Sequence, residues 1–429
     1  MFFLRCSACL FRKVSPSRES HAVALHAGRP HDTVHREPRP RFTNARSRWP
    51  VLVAPALCLT FHSVQAQQPP SNVLLYGILD QSVAFTNDRD SNTLTRANTG
   101  TYAGNRWGMK ITESLGNGLQ AVALMEAGFD GNSGRSVQGG ALFGRQAYVG
   151  LSSDRSGTLT FGRQYDAFVD TVSPLTAAGS WASGVNGRIY GNDNAGLTYR
   201  VNNTLKYTSA STMGARAVAT YSFSNAAGAR DNRAFSLGAH YASGPLALAV
   251  AYAQLDRPNS TNTGGAAVDK GSFSGDKQQT WGAALTYQLG HASLGGNYSR
   301  TRVFAPTAFP GAIPMPLVAA KQLRFDNIEI HLKYPVTVAL TTGLVYIHTR
   351  ARAENAAGKV GRPHWHQIGG VADYLLSKRT DVYLAAAYQR ASGERTGSTA
   401  FDRANLSSGG GISGSRGQWT AHLGLRHRF

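Results

Sequence analysis

In NRWGMKI (105–111) strand alternation puts Arg106, Gly108 and Lys110 on one face and Trp107, Met109 and Ile111 on the other, so both cations point into water. Two cations on a wet face are equipped to hold or steer anions, and a snorkelling role at a membrane border suits such a pair less well. Other chemistry is thinner. HWH, His364 to His366, sets two imidazoles on one strand face, but a zinc site needs three or four ligands and no further ones stand nearby. The GGGISG run (409–414) has no following helix and cradles no phosphate. Serines and eight histidines follow residue 66, yet no spacing singles out a nucleophile with its base. Cys6, Cys9 and Cys58 all precede residue 67, which leaves the later chain without disulfides or thiolate metal sites. The expectation is a non-enzyme with no cofactor and no metal.

The elements that must position such residues follow from composition. Among 429 residues there are 47 glycines, 17 tyrosines and 18 phenylalanines, with 16% charged, a balance that favours many strands and turns. Residues 46–66, RSRWPVLVAPALCLTFHSVQA, join Arg46 and Arg48 to an apolar stretch from Trp49 to Phe61 and a V-Q-A ending. They read as a secretory signal peptide cleaved after about Ala66, too short to span a bilayer and broken by Pro50 and Pro55 as a helix. Residues 1–45, rich in Arg, His and Pro without apolar periodicity, read as a disordered extension or a start placed too far upstream.

The net charge is +20, and 67–429 keep thirty-four Lys and Arg against twenty-one Asp and Glu, a balance of +13. These charges are dispersed, whereas nucleic-acid binding asks for basic stripes with interleaved aromatics, so no nucleic-acid partner is expected of an exported chain.

From Val73 onward apolar and polar residues alternate in segments of about ten, with no run of eighteen apolar residues. In NIEIHLKYPV, Ile328, Ile330, Leu332, Tyr334 and Val336 oppose Glu329, His331 and Lys333. The same period recurs in ASLGGNYSR (292–300) and NTLKYTS (203–209). Seven short connections, at 114–120, 152–159, 209–216, 241–248, 287–294, 333–340 and 375–382, read as tight turns. Long Gly/Asn/Ser/Asp-rich segments such as 254–279 and 389–418 lie between them, as the outer loops of a membrane barrel do. Seven turns and eight loops join sixteen strands. Closure is required because an open edge in hydrocarbon leaves backbone groups unpaired, and a barrel of that size holds a water-filled lumen.

The stretches LYGILD (75–80), NRWGMK (105–110), LFGRQAYVGLSS (142–153), LTFGRQYD (159–166), RVNNTLKYTS (200–209) and LGLRHRF (423–429) together resemble the trimeric general porins of Gram-negative outer membranes, in the branch typical of beta-proteobacteria. The resemblance spans nearly all of 71–429. It implies an all-β fold, a 16-stranded antiparallel transmembrane β-barrel with its third long loop folded inward, and a homotrimer in outer-membrane lipid and lipopolysaccharide. It also implies passive diffusion of small hydrophilic solutes and ions.

In that family, wall arginines face acidic residues on the inward loop, and Arg106 and Lys110 match the wall. Alternation in FGRQAYVGL groups Arg145 with Phe143, Ala147, Val149 and Leu151, an outward set by polarity, whereas the resemblance puts it in the lumen; the resemblance is followed. Arg188 and Arg200 are both candidates for the third rung of the ladder. Arg163 belongs to a matching motif, with a place below the constriction. The inward loop is expected from Asp166 to about Asn194, and after Asp166 and Asp170 it holds no carboxylate until Asp193; Glu126 adds one on the wall. Such a constriction is net positive, and a weakly anion-selective pore is expected, with a solute-specific porin for small anions or a structural, adhesive barrel as alternatives.

The closing stretch GQWTAHLGLRHRF (417–429) reads as the last strand, with Trp419, Ala421, Leu423, Leu425 and Phe429 toward lipid and Thr420, His422, Gly424, Arg426 and Arg428 toward the lumen or the barrel rim. It must pair with the segment near Val73 to Phe85. The resemblance adds that a terminal phenylalanine is the signal read by the barrel-assembly machinery.

Overall fold

The computed structural model describes residues 71–429 apart from 90–91, 183, 228–229, 262–263, 269–270, 312 and 318. The expected signal peptide 46–66, its cleavage point and the extension 1–45 lie outside the described residues. Eighteen hydrogen-bonded strands make one closed sheet, and because two wall strands are each interrupted once, the wall has sixteen. In chain order they are β1 Ser71–Arg89, β2 in two segments (Asn92–Thr99 and Arg106–Gly116), β3 Leu119–Gly128, β4 Gln146–Ser153, β5 Gly157–Gln164, β6 Val201–Thr208, β7 Ala215–Ser222 and β8 Arg233–Ser243. The second half runs β9 Leu246–Asp256, β10 Lys277–Leu289, β11 Ala292–Phe304, β12 Ala320–Pro335, β13 Leu340–Asn355, β14 in two segments (Gly358–Gly361 and Pro363–Leu375), β15 Thr380–Gly393 and β16 Gly417–Arg428. Every neighbouring pair is antiparallel, and β16 closes on β1 from Arg428 opposite Ile78 to Thr420 opposite Thr86.

All seven expected tight turns join strand ends, and the long segments lie between the other ends. The faces are reversed relative to a soluble protein: on β12, Ile330 is 60% exposed and Glu329 only 1%. The same holds at β16, where Trp419, Leu423 and Leu425 are exposed while Thr420, His422 and Arg426 are buried. An apolar exterior is stable only against hydrocarbon, where the closed ladder satisfies every strand's backbone.

The segment between β5 and β6 carries two short helices, α1 (Ala167–Thr171) and α2 (Ala177–Ser180). Its apolar side chains Phe168, Val172 and Leu175 pack on Ala249, Ala251 and Ala284, small residues on the buried face of β9 and β10. Further on, Trp181 and Val185 pack with Val345, Ile347 and Tyr383 of β13 and β15. Here the buried face of the wall is apolar where the segment covers it, which is why these strands depart from a clean alternation.

Candidate functional site

Tyr76 on β1, Gly108 on β2 and Glu126 on β3 share one row of the ladder. A Cβ at Gly108 would meet the Tyr76 ring and hydroxyl at 2.9 Å, so only glycine there lets the tyrosine cross the middle strand. Its hydroxyl then donates to Glu126 Oε2 at 2.8 Å. The other oxygen accepts from Arg145 Nε at 2.7 Å, with both side chains more than nine-tenths buried. Arg145 also donates to the Tyr165 hydroxyl at 3.3 Å, and Arg200 lies over the Tyr165 ring at 4.7 Å and donates to the same hydroxyl. Arg106, half-buried, donates Nε to the Gly104 carbonyl at 3.0 Å and lies within electrostatic range of Glu126, Tyr165, Arg145 and Arg200.

The fold thus gathers Arg106, Arg145, Arg200 and Glu126 round Tyr76 and Tyr165. Arg145 stands in the bend before β4, which begins at Gln146, so strand alternation does not govern where its side chain goes. Of the two arginines left open by sequence, Arg200 is in the cluster and Arg188 is not. Arg188 is buried against the wall of β11 and β12, paired with Asp193 at 3.2 Å and Glu329 at 3.1 Å and donating to Asn297. Glu329 also bonds His331 Nδ1 at 3.0 Å and the α2 backbone at Ala177 N, 2.7 Å away, so one carboxylate fastens the segment at two points.

The remaining expected residues stand apart from the cluster. Arg163 donates to the Gly144 carbonyl at 2.7 Å and to Asn202 Oδ1, and therefore holds the chain beside Arg145 and Arg200 without joining them. Lys110 is exposed on the Arg106 face, opposite Leu74 and Leu124, about 13 Å farther along the strand at ~3.3 Å per residue. Asp166 caps α1, accepting from Val169 N at 2.9 Å and from Asn194 at 3.1 Å, and its burial pushes the carboxyl above its ordinary pKa. Asp170 is spent on Lys206 at 2.6 Å.

Sequence reasoning missed Tyr76, Tyr165, Asn297 and Glu329 as members of these networks. A signal existed for Glu329: an acid and His331 two residues apart on a mid-strand wet face, bracketed by isoleucines, have the form of a wall anchor. Tyr165 gave none, since its ring is placed by the turn after β5.

A sequence profile of the family described as Gram-negative porin matches residues 53–394. An outer membrane porin protein of Bordetella pertussis is 32% identical over 388 residues, covering 79% of this chain and 94% of the relative. Outer membrane porin protein 32 of Delftia acidovorans is 27% identical, covering 88% and 99%. Among solved structures, an anion-selective porin from Comamonas acidovorans superposes with a TM-score of 0.62 at 21% identity, over 84% of this chain and all of that one. A lipid-compatible barrel of sixteen strands, an arginine cluster on its buried face and a profile match over most of the length agree: the chain belongs to the Gram-negative porin family and is a diffusion channel of the outer membrane.

Proposed function

We propose that the channel passes small hydrophilic solutes and ions with a preference for anions, that residues 165–200 fold inward to narrow it, and that it is not an enzyme. The observation that carries the preference is the cluster itself. Arg106 and Arg145 have Glu126 between them, a positive surplus before Arg200 is counted. The carboxylates of the segment do not offset it, because Asp166, Asp170 and Asp193 are engaged with the α1 cap, Lys206 and Arg188. Contacts of that segment with Glu329, Asn297 and the alanines of β9 support its inward course.

A unit charge at ~4 Å in water is worth about 1 kcal/mol, so two such charges stabilise an anion by about 2 kcal/mol, roughly thirtyfold before salt screens them. Lysine and arginine side chains lining a low-dielectric constriction also raise the local anion concentration. Zero-current potentials across a planar bilayer in a potassium chloride gradient test this. An anion-signed potential is expected, and a cation-signed one refutes the reading.

The partners in this reading are two further copies in a homotrimer, lipopolysaccharide in the outer leaflet, and the barrel-assembly machinery acting on Phe429. One of the solved barrels that resembles this chain, OmpT of Vibrio cholerae, is described in a trimer form, which supports the first of these.

A further inference from the structure

We propose that the outer face of β13, β14 and β15 carries a docking site for the phosphate groups of an outer-leaflet glycolipid, with Arg350, Arg352 and Arg390 as its cations. It rests on the lipid partnership proposed above and names its place.

The outward residues of these strands change character over a short distance. Leu344, Ile368 and Leu384 are exposed aliphatics, as lipid-facing residues are. In one row with Ile368, one outward position beyond Leu344 and two beyond Leu384, come Tyr346 on β13 and Tyr388 on β15. Next is the row His348, His366 and Arg390, aligned across the three strands, and then Arg350 opposite His364, with Arg352 beyond. Hydrocarbon-compatible, amphipathic and cationic residues in that order, at about 7 Å per outward step, follow a bilayer from core to headgroups. The cationic end is the end of the long connections, so the headgroups are those of the outer leaflet.

Within the patch, the carboxylate in register with Arg350, Asp326 of β12, is already held by other arginines. The rings of His348, His364 and His366 have centroids 4.6 to 5.7 Å apart. Among the described residues, none of the three guanidiniums meets a carboxylate, whereas on the adjoining strands Arg300 and Arg324 share Asp326 at 2.6 and 2.7 Å. Arg352 Nε and His348 Nδ1 are buried without a hydrogen-bond partner. Arg352 stands directly opposite Arg324 of β12; such a like-charge pair and unmade buried hydrogen bonds both cost stability, and an anion rich in acceptor oxygens relieves both.

Phosphate fits better than a metal ion. Arg350 and Arg390 are register neighbours of His364 and His366 and repel a divalent cation, and among the described residues no group of histidines and carboxylates is arranged to hold one. Guanidinium forks match phosphate oxygens in geometry. A lipid-borne phosphate fits better than free phosphate because the cations adjoin the aliphatic belt, where an acyl chain adds apolar contact.

The full-length protein, refolded in detergent, is titrated with bisphosphorylated lipid A and with lipid A stripped of its phosphates. Binding at least about tenfold tighter for the phosphorylated form is expected, as the loss of several charge-assisted hydrogen bonds implies, and it persists in EDTA and in excess inorganic phosphate. The triple variant R350Q/R352Q/R390Q is expected to lose that discrimination at unchanged single-channel conductance. Equal binding of both forms by the wild-type protein overturns the phosphate site and leaves the lipid partnership standing, whereas binding of neither form overturns both; neither outcome needs a variant to fold. Discrimination that survives in the triple variant places the lipid elsewhere and leaves the partnership standing. Full competition by inorganic phosphate, or loss of binding in EDTA, overturns the direct lipid contact in favour of a free anion or a bridging cation.

Discussion

Arg145 Nε donates to Glu126 Oε1 at 2.7 Å, and both side chains are buried. The pair sets the charge of the cluster, because Glu126 is the carboxylate that Arg106 and Arg145 share. Glu126→Gln keeps an acceptor for the Tyr76 hydroxyl and removes the negative charge. The expected result is a zero-current potential displaced further toward anions, by about 1 kcal/mol or a fewfold change in permeability ratio, for a charge felt through water. A displacement toward cations counts against the assignment. Because breaking a buried pair costs about 3–5 kcal/mol, heat-modifiable mobility on a gel should show a lowered unfolding temperature in the same variant.

Charge reversal at the more open position gives the complementary test. Arg106 is half-buried and accessible, so Arg106→Glu is expected to invert or abolish anion preference with less loss of stability than Glu126→Gln. Unchanged selectivity in folded channels would show that ions pass without sensing this face.

Arg163 acts on the cluster indirectly. Its donations to the Gly144 carbonyl and to Asn202 tether the bend carrying Arg145 to the approach carrying Arg200. Arg163→Ala should raise open-channel noise and cost about 1–3 kcal/mol for the charged hydrogen bonds lost. Arg163→Lys should rescue the noise only in part, since an ammonium lacks the planar fork that reaches both acceptors. Full rescue by lysine would mean that charge, not geometry, is what matters there.

Strand periods, turns and faces were legible because they are local: the side chains of Ile328 to Leu332 alternate as written, and Gly116–Gly118 and Gly290 mark their turns within a few residues. The site was legible only in its residue types. Arg145 was ambiguous because alternation was carried one residue past the end of β4. Arg188 and Arg200 could not be separated because the partners that hold Arg188, Asn297 and Glu329, lie more than a hundred positions away. Asp170 looked like an acid free to face the pore, yet Lys206, from a strand that follows the whole segment, neutralises it.

Arg188 and Glu329 fasten the 165–200 segment to the wall at 3.1 Å with both side chains almost wholly buried. Glu329→Gln leaves Arg188 with Asp193 and weakens the bonds to His331 and Ala177 N. The expected cost is about 3–5 kcal/mol, expressed locally as voltage-driven flicker in single-channel traces and faster proteolysis within 165–200. A variant with quiet traces and intact resistance to protease would show that the apolar contacts of Phe168 and Trp181 are sufficient to hold the segment.

Barrel closure gives the last prediction. Phe429 exchanges both backbone hydrogen bonds with Gly77, at 3.1 Å each, and its ring lies where a Cβ on Gly77 would be. The terminal residue therefore both ends the ladder and covers the one position of β1 that must lack a side chain. Gly77→Leu should displace the ring while leaving the chain's last residue unchanged, and deletion of Phe429 should remove ring and backbone pair together. If the contact matters for closure, both variants yield less heat-modifiable, outer-membrane barrel. If only the identity of the last residue matters to assembly, G77L accumulates normally and the deletion alone fails. Channels of either variant that do form should conduct as the wild type does, since Phe429 faces lipid and the arginine cluster lies on the opposite face of the wall.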